Sequence, residues 1–127
     1  MGSASVARDF RADPDRVWAV VGDFSNPGPY ITDLESIEVE GDDRVLTLPN
    51  LKLRETLLER DDAGRRLVYS VVSGLPIDAH RGEITVTASG TGSTVTWAFE
   101  VSPDNMEGPL RGVYEGALAA LKRHFGE

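Results

Sequence analysis

DNMEGPLRGVYEGALAALKRHF, residues 104–125, is the stretch from which the rest of the chain can be placed. On a helix, Met106, Leu110, Val113, Tyr114, Ala117, Leu121 and Phe125 form one apolar stripe at i, i+3, i+4 and i+7 spacing, with Arg111, Glu115, Lys122 and Arg123 opposite. Gly108-Pro109 either kinks this helix or marks its start, with Pro109 at the first helical position. Almost everything between residues 34 and 101 reads as short strands instead. A long amphipathic helix after a run of strands needs a sheet to cover, and the sheet needs a lid. A hydrophobic pocket between the two is the expected result.

The strands are read from their alternation. Residues 5–10 alternate weakly. Residues 34–40 carry Ile37 and Val39 on one face, and residues 44–48 return after the Gly41-Asp42-Asp43 turn. After Pro49-Asn50, residues 51–60 place Leu51, Leu53, Glu55 and Leu57 on one face. Asp61-Asp62-Ala63-Gly64 signals a hairpin into residues 65–73, where Leu67, Tyr69 and Val71 share a face. Gly74-Leu75-Pro76 interrupts the pattern. Residues 79–88 resume it with His80, Gly82, Ile84, Val86 and Ala88, and residues 94–101 with Val95, Trp97, Phe99 and Val101. Between the first two strands, Asp13 is a candidate N-cap with Pro14 at the first helical position. A second brief helical turn near Ser25 would be kept short by Pro27 and Pro29. Connections this short imply antiparallel pairing. The expected order is strand, two short helices, six strands and one long helix in a single domain spanning residues 1–127.

Composition narrows the function. The chain has 127 residues, enough for one core with a modest cavity. Its formal net charge of −8 argues against a nucleic-acid or anionic-membrane surface. There is no cysteine, so disulfides, thiolate nucleophiles and cysteine metal sites are excluded. The two histidines, His80 and His124, form no H-x-x-x-H pair, so no metal site is expected. His124, near the helix C-terminus, is accounted for by the helix dipole. No phosphate loop, dinucleotide fingerprint or G-x-S-x-G is present, and no cofactor is expected. The first residues do not read as a signal peptide, and no stretch is long enough for a membrane span, which fits a cytoplasmic protein.

Three segments carry a family resemblance. They are Pro14-Asp15-Arg16-Val17-Trp18 with Gly22-Asp23-Phe24, then Leu53-Arg54-Glu55-Thr56-Leu57-Leu58 with Asp61-Asp62 and Arg66-Leu67-Val68-Tyr69-Ser70, and Gly92-Ser93-Thr94-Val95-Thr96-Trp97. In this order they resemble the START/Bet v 1-like (SRPBCC) superfamily, most closely its bacterial polyketide cyclase/dehydrase group. The resemblance spans nearly the whole chain. It implies an α+β helix-grip fold: a seven-stranded curved antiparallel sheet wrapped around the C-terminal helix, with a ligand cavity between them.

Several residues are candidates for chemistry in such a cavity. Glu55 shares its face with leucines. If that face looks inward, its pKa would rise and suit general acid–base work; otherwise it pairs with Arg44 or Arg66 in a structural role. His80 is either an acid–base group or a satisfied rim residue. Tyr69 either aims its hydroxyl into the cavity or packs in the core. Tyr30, Leu53, Trp97, Phe99, Met106, Leu110 and Tyr114 are candidate ligand-lining residues.

Three functions stay open. One is binding of a small hydrophobic, ring-containing molecule by a monomer or homodimer. Another is polyketide-type cyclisation or dehydration using Glu55, His80 and Tyr69. The third is a protein-interaction or stress-response module with a filled interior.

Overall fold

The computed structural model describes residues 1–127. Strand β1 (Gly2–Phe10) leads into helix α1 (Pro14–Val21). Six strands follow: β2 (Ser36–Glu40), β3 (Asp43–Leu48), β4 (Leu51–Asp61), β5 (Arg66–Ser73), β6 (Ala79–Ser89) and β7 (Gly92–Ser102). Helix α2 (Glu107–His124) closes the chain after a 3₁₀ turn at Asp104–Met106. The strands form one seven-stranded antiparallel sheet in the order β1-β7-β6-β5-β4-β3-β2. This is the helix-grip arrangement expected.

Local signals explain the helices. The Asp13 side chain accepts the Arg16 N–H at 2.9 Å, and Pro14 fills the first helical position. Gly22 ends α1 and lets the Trp18 ring lie close: a methyl group there would come within 2.6 Å of the indole. The Trp18 Nε1–H donates to Asp62 Oδ1 at 3.0 Å, tying α1 to the β4–β5 hairpin. Helix α2 begins at Glu107, ahead of Pro109, so the proline falls in the first turn, where its missing N–H has no helical partner to lose. Lys122, Arg123 and His124 lie in the last turn, complementing the helix dipole.

Two expectations are corrected. The second short helix does not form. Residues 23–34 make isolated turns, such as Asn26 N–H to Asp23 O at 3.2 Å and Tyr30 N–H to Pro27 O at 3.0 Å. Pro27 and Pro29 have no N–H to extend them, and Ser25, rather than capping a turn, donates its N–H and hydroxyl to Asp23 Oδ1. Val113 is not core but 60% exposed. Helix α2 packs against β1 and β7, which buries Leu110, Tyr114, Ala117, Leu118 and Leu121 and leaves Val113 exposed on the side where no strand packs against the helix.

Two β-bulges shape the far side of the sheet. Val72 is the extra residue between the Glu55–Val71 and Arg54–Ser73 pairs, and Leu58 between Leu57–Tyr69 and Glu59–Val68. Both extra side chains are exposed on the outer face. Bulges bend the strand that carries them and increase its twist. No helix is long and apolar enough to cross a membrane.

Candidate functional site

A cavity of about 570 Å³ lies between α2 and β3–β5, with 15 of its 20 lining residues hydrophobic. The β3–β4 hairpin builds one wall. Its Pro49-Asn50 turn, with Asn50 at φ 61°, sets Leu48 opposite Leu51, Leu46 opposite Leu53 and Arg44 opposite Glu55. All six face inward and line the cavity. The helix contributes Leu110, Val113, Tyr114, Gly116, Ala117 and Ala120. A methyl group on Gly116 would meet nothing within 4 Å, so this part of the helix adjoins open space. Ile31, Thr32, Asp33 and Leu75 complete the lining from the loops.

Two polar groups interrupt the apolar walls. The first is Arg44, only 2% exposed, with Glu55, 6% exposed. Arg44 Nε and Nη2 both reach Glu55 Oε1 at 2.8 Å, and no protein donor reaches Oε2. Arg44 Nη1 donates to the Phe24 carbonyl at 2.9 Å, and its guanidinium lies 4.1 Å from the centre of the Phe24 ring. Removing either partner would strand a buried charge, typically a loss of about 3–5 kcal/mol.

The second group joins four side chains from three strands and the helix. Trp97 Nε1–H donates to Tyr69 Oη at 3.1 Å, Tyr69 Oη meets Tyr114 Oη at 2.9 Å, and Tyr114 Oη meets His80 Nε2 at 2.8 Å. The Trp97 and Tyr114 rings stack with centres 4.5 Å apart, and Tyr30 meets Trp97 edge-on at 5.7 Å. Gly82 stands opposite Tyr69 across β5–β6, and a methyl group there would come within 2.6 Å of the phenol ring. That glycine is what lets Tyr69 lie flat against β6.

His80 has a structural duty as well. The β5–β6 pairing stops at Tyr69–Gly82, and beyond it the Val71 N–H donates at 3.1 Å to His80 Nδ1, so the imidazole takes over as a rung. Burial of the ring pushes its pKa down to about 4, so it is neutral at pH 7. Burial pushes the Tyr69 hydroxyl well up, with Tyr114 and Glu55 adding to the shift. Burial likewise raises Tyr114. Both phenols keep their hydrogens.

The structure brings together Tyr30, Leu53, Glu55, Tyr69, Trp97, Leu110 and Tyr114 on one cavity. Glu55 faces inward as the alternation suggests, yet it is also paired with Arg44, so the two alternatives coexist rather than compete. His80 lies behind the lining, hydrogen-bonded to two lining residues, Val71 and Tyr114. Phe99 and Met106 are corrections. Phe99 lies behind Tyr114, edge-on at 5.1 Å, and Met106 packs on the core from the 3₁₀ turn; neither lines the cavity. Arg44 enters the sequence reading only as one of two possible partners for Glu55, and strand alternation does not place it on the cavity, because an arginine beside the Gly41-Asp42-Asp43 turn looks like a surface residue. Its signal is the hairpin count: paired back from Pro49-Asn50, Arg44 falls opposite Glu55. No group of three or more His, Asp or Glu side chains is arranged to hold a metal ion.

Comparison with known proteins agrees with this architecture. A family model described as polyketide cyclase / dehydrase and lipid transport matches residues 1–126. The protein XoxI from Bacillus cereus superposes with a TM-score of 0.92 at 22% identity, covering 100% of this chain and 97% of that one. An uncharacterised protein from Bacillus thuringiensis gives 0.91 at 20% identity, covering 99% and 100%. A solution structure from Thermobifida fusca gives 0.83 at 27% identity, covering 98% and 93%. No curated protein is a significant match to the sequence.

Proposed function

The chain belongs to the polyketide cyclase/dehydrase and lipid transport family, and on that premise we propose that it binds a small, largely apolar, ring-containing molecule between α2 and β3–β5. The observation that carries this reading is the cavity of about 570 Å³ with mostly hydrophobic walls and only two polar groups of any depth. A ligand burying about 200 Å² of apolar surface would gain roughly 5 kcal/mol, at about 25 cal/mol per Å². The polar groups would then orient it. The cavity also argues against a module with a filled interior.

Native mass spectrometry of the purified protein beside a denatured control tests the reading, together with titration of the neutral fluorescent probe N-phenyl-1-naphthylamine. The expected result is an extra mass lost on denaturation, or saturable probe binding. A bare protein mass with no probe binding would overturn the reading.

A second reading, catalysis, is favoured by one observation: Glu55 Oε2 takes no hydrogen bond from the protein in a cavity that three tyrosines also line, Tyr30, Tyr69 and Tyr114. There Glu55 would remove a proton alpha to a substrate carbonyl, and a tyrosine hydroxyl would steady the oxyanion that forms. His80 would hold Tyr114 in place instead of taking the proton, because both its ring nitrogens are engaged. Glu55→Gln separates the readings: turnover of a cyclising substrate falls by about 100-fold or more if Glu55 is the base. In a carrier, the folded variant is destabilised by loss of the charge facing Arg44 but still takes up the naphthylamine probe.

A further inference from the structure

The buried tyrosine group has a hydrogen to spare. Trp97 Nε1 can only donate. The Val71 N–H points at His80 Nδ1, so the hydrogen of the neutral imidazole sits on Nε2, facing Tyr114. Both ends of the chain therefore push hydrogens toward the middle. Four donor hydrogens, from Trp97, Tyr69, Tyr114 and His80, serve three contacts. Each contact uses one, so one hydroxyl hydrogen is left over, on Tyr69 or on Tyr114. Both residues line the cavity, and neither hydroxyl has another acceptor in the protein within hydrogen-bond reach. The buried carboxylate of the cavity, Glu55, is held by Arg44 and accepts from neither phenol.

We infer that the ligand presents a neutral carbonyl-type oxygen, as in an aromatic ketone or quinone, to the hydroxyl pair of Tyr69 and Tyr114. Trp97 and His80 act as positioning residues, because they fix the direction in which the pair donates. A buried donor without a partner is costly, so the site favours a molecule that brings an acceptor. An alcohol would add a further hydrogen to a corner already short of acceptors. An anion would lose its hydration among apolar walls where the one buried cation, Arg44, is already taken up by Glu55 and the Phe24 carbonyl. This selectivity rests on the ligand-binding reading above.

The test uses the intact protein and three tricyclic molecules of one shape: fluorene, 9-fluorenone and 9-fluorenol. Affinities are read by displacement of N-phenyl-1-naphthylamine. Fluorenone is expected to bind about tenfold more tightly than fluorene, the effect of roughly one good hydrogen bond, with fluorenol between them. The infrared carbonyl stretch of bound fluorenone is expected below its value in hydrocarbon solvent. In the Tyr69→Phe/Tyr114→Phe variant the preference falls to within about twofold and the stretch returns upward. Nitrogen-15 NMR of the unaltered protein gives a check that depends on no variant: His80 is expected as the Nε2–H tautomer, and an Nδ1–H tautomer would overturn the hydrogen count. Equal binding of fluorene and fluorenone would overturn the inference and leave the cavity reading standing. No binding of any of the three, or of the probe, would overturn both.

Discussion

The two sides of this sheet meet the long helix differently. At one side β1 and β7 lie against α2, and Phe10, Val95, Leu118 and Leu121 fill the space between them. At the other, β3–β5 stand off from the helix, and inward residues such as Leu46, Leu53 and Glu55 face a cavity. Alternation is equally clean on both sides. It determines which side chains point inward, but not whether anything meets them there. What separates the two sides is the path of the strands, bent at the Leu58 and Val72 bulges, together with small residues on the facing side of α2, Gly116, Ala117 and Ala120.

The largest expected contrast is in truncation. Leu118→Ala removes a fully buried side chain from the packed side and is expected to cost about 2–5 kcal/mol. Leu53→Ala, half-buried and already facing open space, is expected to cost about 1 kcal/mol or less. Urea unfolding of both variants measures this. Equal losses would mean that the two sides are packed alike.

Next is acid sensitivity at the seam of the standing-off side. His80 titrates at about 4 in the folded protein, against an ordinary 6.5. The unfolded chain therefore binds the extra proton first. The neutral form stabilises the fold fully above about pH 6.5, and that contribution is lost as pH falls toward 4, on the order of 3 kcal/mol in all. His80→Asn keeps an acceptor for the Val71 N–H without the titration. Its stability is expected to be lower at pH 7 and flatter across this window, as read by unfolding at stepped pH. The same slope in both proteins would remove His80 from the account.

The smallest effect is at Gly116. Its side-chain position is open, so Gly116→Ala is expected to stabilise the helix by up to about 1 kcal/mol without touching the sheet. Gly116→Leu is expected to leave the fold intact and to weaken binding of the naphthylamine probe by filling the cavity. If Gly116→Leu unfolds the protein, the helix is not free of the sheet at this point.

Much of this was legible in the sequence. The strands, the α1 cap at Asp13 and the inward faces of β4, β5 and β7 follow from spacing that any half-buried strand or capped helix must show. The Arg44–Glu55 pair was also readable, because a two-residue hairpin turn fixes its own register. Other features were not. Val113 belongs to the helical stripe by period and leaves it only because α2 leans on β1 and β7. The role of His80 depends on pairing that stops at Gly82, which no local signal announces. Phe99 and Met106 share the apolar character of true lining residues, and only the curvature of the sheet puts them behind the wall. The second short helix had a plausible start at Ser25, but two prolines outweighed it.

The two tryptophans differ in whether they face the cavity. Trp18 lies over Gly22 with its indole N–H held by Asp62, away from the cavity, while Trp97 lines the cavity and stacks on Tyr114. The protein thus carries its own pair of optical reporters. Emission from a Trp97→Phe variant should follow only the integrity of the fold, and emission from a Trp18→Phe variant should add the arrival of a guest. The difference between the two spectra then separates occupancy from unfolding without an external dye.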